Sequence, residues 1–198
     1  MSNAPLSDDA LDQLFRTARS YNGWLDKDVS EAEIHKIYEL MKMAPTSANM
    51  QPGRFIWCKS AEAKARLAQY AMEANQPKIT SAPVCVIVGM DYEFHEQLPW
   101  LFPHTDARSW FVGDRAGREE GAFRNASLQG AYLMLAARAL GLDCGPMSGF
   151  DQAGVNKEFF GDQPDVVSNF ICSIGYGDAA SIFGRSPRPD FDKFNTIL

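Results

Sequence analysis

"APTSANMQPGRF", residues 44–55, sets two prolines, two hydroxyls and two amides in one connection, with an arginine and an aromatic directly behind it. An ordinary helix-to-strand connection needs one or two punctuators. The residue before Pro45 is pushed out of the helical region, so the preceding helix ends near Ala44. That helix opens on a Ser30/Glu33 capping-box pattern and carries Ile34, Ile37, Tyr38 and Met41 at helical spacing. Beyond the loop, residues 55–58 read as a strand. The stretch is therefore helix, rigid polar loop, strand. Its side chains either cap the loop itself or shape a surface that holds something polar and flat.

Working outward, Ser7 can cap a first helix whose apolar stripe is Leu11, Leu14, Phe15 and Ala18. Residues 19–28 form a polar loop with Gly23. Residues 61–73 read as an alanine-rich helix, and 83–89 as a strand buried on both faces. Residues 91–117 are the least regular part, with prolines at 99 and 103. A long helix covers 118–140 and is apolar almost all round, so most of its sides are buried. Arg138 in its last turn and Gly141 just after it suit a helix C-terminus. Residues 145–150 read as a loop, Asp151 as the cap of a further helix, and 166–175 as a second buried strand. The tail has two prolines near its start and no periodicity, and reads as an extended arm. The elements mix without regular βαβ alternation and without G-x-G-x-x-G, which predicts one α+β domain with a central helix and a small sheet.

The chain has 198 residues and a formal net charge of −6, which argues against a nucleic-acid footprint. Its N-terminus is acidic and lacks an apolar core, unlike a signal peptide. No apolar stretch reaches about 18 residues, so no membrane span is expected. Cys58, Cys85, Cys144 and Cys172 sit in apolar runs without C-x-x-C spacing. They read as reduced core residues of a cytoplasmic protein.

The polar residues on loops form a candidate constellation. Arg19 and Ser20 follow the first helix, and Thr46, Ser47, Asn49 and Gln51 the second. Asn75 and Lys78 lie one helical turn apart, Pro146, Ser148 and Gly149 follow the long helix, and Arg185 lies in the tail. Together they offer cations for a phosphate and donors for a ring edge. Individually each also reads as a cap, a turn or a solvated charge.

Five marks make the pattern specific: RS at 19–20, PTSANMQP at 45–52, N-x-x-K at 75–78, LMLAARALGLDCGPMSGF at 133–150 and GRSP at 184–187. In order and spacing the chain resembles the nitroreductase family of FMN-dependent oxidoreductases over essentially its whole length. LFPHTDARSWF at 101–111 and FRNASLQGAYL at 123–133 resemble the branch that reduces malonic semialdehyde to 3-hydroxypropanoate in pyrimidine breakdown. The resemblance implies a single nitroreductase-like domain over 1–198, with a small mixed sheet flanked by helices. It also implies a homodimer with the long helix at the interface, a variable substrate lid at 91–117, and a C-terminal arm, 180–198, exchanged with the partner. Two FMN sites, each built from both chains, would lie between the subunits, with NADH or NADPH as co-substrate.

Residue by residue, the resemblance places Arg19 and Ser20 at the FMN phosphate. The family commonly has a second basic residue before the arginine and another two positions after the serine, where this chain has Ala18 and Asn22. Thr46, Ser47 and Asn49 would line the flavin from the partner subunit, with Gln51 and Pro52 fixing the turn into the strand. Asn75 and Lys78 would face the flavin ring and ribityl chain, where a positive charge suits the anionic reduced form. Ser148 and Gly149 would offer backbone N–H groups to N5, beside Pro146. Arg185 would contact the phosphate, with Arg188 a second candidate.

No side chain is an obvious catalytic acid, as befits chemistry carried by the cofactor. Within the lid, Arg108 is the candidate to bind a substrate carboxylate and His104 to donate a proton to a developing alkoxide. No metal site is expected: His95, His104 and Asp106 lack ligand spacing. Alternatives remain open at this level. They are a general nitro, quinone or enone reductase, a flavin-destroying enzyme of the same fold, a nonenzymatic flavin-binding protein and, more distantly, a thiol hydrolase.

Overall fold

The computed structural model describes residues 4–198. Four strands form one sheet in the order β1-β2-β4-β3. Helix α1, Asp8–Leu11, is capped by Ser7 and runs into a π turn, Asp12–Arg16. No residue of it is fully buried: Phe15 points to solvent, while Leu11, Leu14 and Ala18 are half-buried, and Gln13 Nε2 donates to the Arg138 carbonyl at the end of the long helix at 2.6 Å. Helix α2, Glu31–Met41, begins on the expected Ser30/Glu33 capping box and buries Ile37 and Met41. Strand β1, Gly53–Cys58, follows the polar loop.

Helix α3 spans Ala61–Ala68 and is shorter than the sequence suggests, because 73–75 tighten into a separate 3₁₀ turn before α4, Gln76–Thr80. Strand β2, Val84–Asp91, is buried along nearly its whole length. Its alternate residues feed two cores. Val84, Val86 and Val88 pack toward α2 and the long helix, while Cys85 and Ile87 pack toward α3, α4 and α7. A strand covered on both faces explains the continuous apolar run.

The irregular segment contains 3₁₀ turns at Phe94–Gln97 and Ala107–Trp110 around a short α5, Leu98–Leu101. Helix α6, Arg115–Ala139, starts three residues earlier than its apolar pattern because Asp114 accepts from Gly117 N at 2.9 Å. It is not apolar all round. Its buried face carries Arg118, Asn125 and Gln129, and Phe123 and Leu128 are exposed.

Residues 143–147, partly read as loop, form strand β3, Asp143–Met147. Pro146 hid it, yet a proline is tolerated on an edge strand, and β3 is one. Asp151 stands at the N-cap of α7, Gln152–Phe159, without a capping side-chain bond. Strand β4, Val166–Gly175, occupies the predicted span. The expected mixed sheet is instead antiparallel at every strand pairing. Strands β2 and β3 run the same way but are separated by β4, which pairs antiparallel with both, and among the described residues the one parallel pairing is the isolated Ser20–Cys144 bridge. The tail ends in a short helix α8, Phe191–Phe194, and is exposed from residue 184 onward.

All four cysteines are free and buried. Burial pushes the Cys58 thiol up to about 11 and the Cys85 thiol up to about 12, so neither is a nucleophile at neutral pH. Among the described residues no helix is long and apolar enough to cross a membrane.

Candidate functional site

The candidate residues fall into two polar clusters. The first gathers around β3. Arg185 donates to the carbonyls of Arg16 at 2.8 Å and Ala18 at 2.9 Å, and Arg19 donates to the carbonyl of Phe183. Two guanidinium groups some 166 residues apart in sequence thus stand on segments that grip each other. Arg188 bonds only to the carbonyls of Ser186 and Pro187 beside it, so the geometry separates the two tail arginines. Ser20 bridges Cys144 on β3, where Tyr21 N donates to the Cys144 carbonyl at 3.0 Å.

Strand β3 leads through exposed Pro146 to Ser148 and Gly149. The Gly149 carbonyl accepts from Met72 N at 2.9 Å and from Asn75 Nδ2 at 3.1 Å. A Cβ on Gly149 would lie 2.7 Å from Met72 Sδ and 2.9 Å from Asn75 Nδ2, so a larger residue here would push both side chains aside. Lys78 is anchored through its carbonyl, which accepts from Trp24 Nε1 and Ser173 Oγ. Its half-buried ammonium has no ion-pair partner among the described residues, which leaves a cation at the rim of the cluster.

The second cluster is the loop between α2 and β1. Thr46 Oγ1 accepts from Gln51 N at 3.2 Å, and Ser47 N donates to Asn125 Oδ1 at 2.8 Å. Gln51 Nε2 donates to Asn49 Oδ1 at 3.0 Å, and Asn49 Nδ2 to the Leu101 carbonyl at 2.8 Å. Gln129 Nε2 donates to Gln51 Oε1 at 2.7 Å. The loop does cap itself, with two buried amides of α6 as its frame. Those two, Asn125 and Gln129, were legible only as amides four apart in an otherwise apolar helix, which places them on one face.

The loop is also strained. Ala48, Asn49 and Gln51 have φ of 47°, 48° and 41°, the left-handed region that non-glycine residues avoid. Ala48→Gly should therefore stabilise the protein by roughly 0.5–1 kcal/mol, the strain relieved less the added freedom of the unfolded chain. Denaturant unfolding of the ligand-free protein measures it, and a loss of stability would mean that Ala48 is not strained.

Among the described residues, no hydrogen bond or ion pair joins the two clusters. The irregular segment 91–117, expected to be a lid, touches the second through Leu101. Within it, Arg108 gives Nε and Nη2 to Glu96 at 2.8 and 2.6 Å, which holds the Glu96 carboxyl below its usual range. His104 stacks edge-on against Phe102, 5.2 Å between centroids. His95 does not meet His104 and Asp106; it is buried between Glu93 and Glu96 at 3.7 and 3.4 Å. Those carboxylates already pair with Arg108, Arg115 and Arg118, so the group carries little unbalanced negative charge for a cation. A groove of about 1140 Å³ runs along the free edge of β1, lined by Ile34, Tyr38, Phe55, Trp57, Trp100 and Gln51 among others.

The antiparallel four-stranded α+β domain thus carries one polar cluster at the β3 edge of the sheet and a braced polar loop leading into the β1 edge. The Nitroreductase family profile matches residues 2–176, and the chain belongs to that family. A Burkholderia lata protein, provisionally named NADH dehydrogenase/NAD(P)H nitroreductase, is 60% identical over 192 residues, covering 97% of this chain and 98% of its own. A Stenotrophomonas maltophilia protein with the same provisional name is 57% identical, covering 93% of each chain. Among solved structures, an Exiguobacterium sibiricum protein described as a nitroreductase in complex with FMN superposes with a TM-score of 0.84. It is 24% identical and covers 99% of this chain and all of its own. An enone reductase of gut-bacterial fatty acid saturation also reaches 0.84 at 21% identity, covering 98% and 100% of the two chains. These two likenesses establish the fold.

Proposed function

We propose that this chain is an FMN-dependent NAD(P)H oxidoreductase that works as a cytoplasmic homodimer. The observation that carries the reading is the first cluster, which draws Arg19, Ser20, Asn75, Lys78, Ser148, Gly149 and Arg185 from four places in the sequence. Arg19 and Arg185 suit a phosphate, the backbone of Ser148 and Gly149 suits the edge of a flat ring, and Lys78 suits a ring that gains negative charge on reduction. The family's naming and the FMN of the Exiguobacterium neighbour support the same cofactor.

Bound FMN would supply two-electron hydride chemistry at N5, taking hydride from NAD(P)H and passing it to an acceptor in ping-pong order. The chain's own residues bind and orient: Ser148 and Gly149 present backbone N–H groups, and Thr46, Ser47, Asn49 and Gln51 complete the wall from the partner subunit. The separation of the two clusters within one chain supports a site shared between subunits. Exposed Phe123 and Leu128 on α6 suit an interface helix. The groove beside β1 suits the partner's C-terminal arm. The four buried free thiols favour a reducing compartment.

For the acceptor we propose malonic semialdehyde, reduced to 3-hydroxypropanoate in pyrimidine breakdown, on the resemblance carried by residues 101–111 and 123–133. His104 would give the alkoxide its proton. Arg108 would have to exchange Glu96 for the substrate carboxylate. A general reductase of nitro compounds, quinones or enones is the second reading, favoured by that bidentate Arg108–Glu96 pair and by the enone reductase among the neighbours.

Absorbance of the purified protein under anaerobic conditions tests the proposal. A flavin band should bleach with NADH or NADPH and return on adding malonic semialdehyde. Recovery with quinone but not the aldehyde would select the second reading, and a protein that cannot take up FMN would end both. Arg185→Ala should weaken FMN binding by about ten- to a hundredfold, the loss of one charge-assisted contact. Unchanged affinity would remove its phosphate role.

A further inference from the structure

The bonds of the second cluster form one directed chain. Gly53 N donates to Gln129 Oε1 at 2.7 Å, Gln129 Nε2 to Gln51 Oε1 at 2.7 Å, Gln51 Nε2 to Asn49 Oδ1 at 3.0 Å, and Asn49 Nδ2 to the Leu101 carbonyl at 2.8 Å. Its ends cannot be reversed. A backbone N–H only donates and a backbone carbonyl only accepts, so the orientation of all three amides between them is dictated. Gln129 is 4% exposed and close-packed: a Cβ on Gly53 would stand 2.8 Å from its Oε1. The relay thus starts on β1, passes through the core helix and the strained loop, and ends on the lid.

We infer that Gln129, which stands behind the proposed flavin wall and does not form part of it, is a positioning residue that sets the hydrogen-bond polarity of the loop and couples the loop to the lid. This rests on the reading of the site given above. The relay occupies the carbonyl oxygens of Gln51 and Asn49 and one N–H of each amide. Each amide keeps one further N–H, and each oxygen one further lone pair. The relay thus fixes which way each amide faces, and the N–H left at each nitrogen can donate to the carbonyl edge of a pyrimidinedione ring. Because the last bond falls on Leu101, displacement of the lid removes the partner that keeps Asn49 turned this way.

Gln129→Glu discriminates. A carboxylate still accepts from Gly53 N but has no N–H for Gln51. Gln51 must then turn its NH₂ toward residue 129, Asn49 must turn in step, and Asn49 Oδ1 comes to face the Leu101 carbonyl, acceptor against acceptor. FMN titrations of wild type, Gln129→Glu, Asn49→Ala and the double variant read the coupling between two side chains that share no direct bond. Each single change should weaken FMN binding about tenfold, the scale of one unsatisfied polar group. The double variant should be no weaker than the singles, because either change breaks the same relay. A roughly hundredfold additive loss, or a Gln129→Glu protein that binds FMN normally, would overturn the inference. Gln129→Leu gives the same comparison should the buried carboxylate prevent folding. A readout without FMN keeps the two proposals apart: in the ligand-free protein, Gln129→Glu should speed hydrogen exchange in residues 98–103 at least tenfold. Wild type that fails to bind FMN while this acceleration appears would end the flavin reading and keep the relay. Unchanged exchange in a protein that does bind FMN would sink the relay alone.

Discussion

Removing residues 188–198 should convert the protein into a monomer that no longer retains FMN. The cut leaves Arg185 and its bonds to Arg16 and Ala18 in place, so the first cluster survives. What it removes is apolar surface with no use inside one chain. Phe191, Phe194 and Ile197 are exposed by between 57% and 85%, and Leu198 more. Burying four such side chains is worth on the order of 10 kcal/mol per arm, before the cost of association. Two arms per dimer would clear that cost. The groove along β1 offers aromatic walls and, on an edge strand, unpaired backbone groups. FMN should be lost because Thr46, Ser47, Asn49 and Gln51 would serve the partner's cofactor rather than their own. Sedimentation velocity and the flavin-to-protein absorbance ratio read the two effects. A truncated protein that stays dimeric would assign the interface to α1 and α6. A monomer that keeps stoichiometric FMN would show that the site lies within one chain.

Much of this fold could be read in advance where a single local signal suffices. The Ser30/Glu33 capping box and the buried run of β2 are such places, because the cap joins residues three apart and a strand covered on both faces reads as a continuous apolar run. Strand β3 could not be read, since Gly145 and Pro146 speak for a loop and only the strand's edge position, a tertiary fact, permits them. The same division holds in the site. The loop 45–52 announces itself by composition, and Arg19 and Arg185 enter through resemblance. Asn125 and Gln129 look like interruptions of an apolar helix until the loop they brace is folded onto them. The left-handed turns at Ala48, Asn49 and Gln51 leave no trace of glycine in the sequence, because the long-range bonds impose them.

Arg118 is a further residue that the sequence hides, and its replacement should have the second large effect. It lies in the first turns of α6, where an arginine reads as a solvated charge, yet it is nearly buried. Its guanidinium donates to the Tyr92 carbonyl at 3.0 Å, the Phe111 carbonyl at 2.9 Å and Glu93 Oε1 at 2.8 Å. Tyr92 and Phe111 stand at the two ends of the lid, so one side chain ties both to the core helix. Arg118→Met keeps the bulk and removes every donor. Two part-buried backbone carbonyls then lose a partner, while Glu93 keeps the longer contacts to Arg115 and His95. The cost should be roughly 2–4 kcal/mol, discounted because Glu93 is about one-third exposed. Denaturant unfolding gives the global loss. Hydrogen exchange should show it concentrated in residues 92–111, with β2 and β4 still protected at moderate denaturant. Uniform loss of protection would make Arg118 a general core residue. Full protection of 92–111 would mean that its own buried Phe94 and Leu98 anchor the segment by themselves.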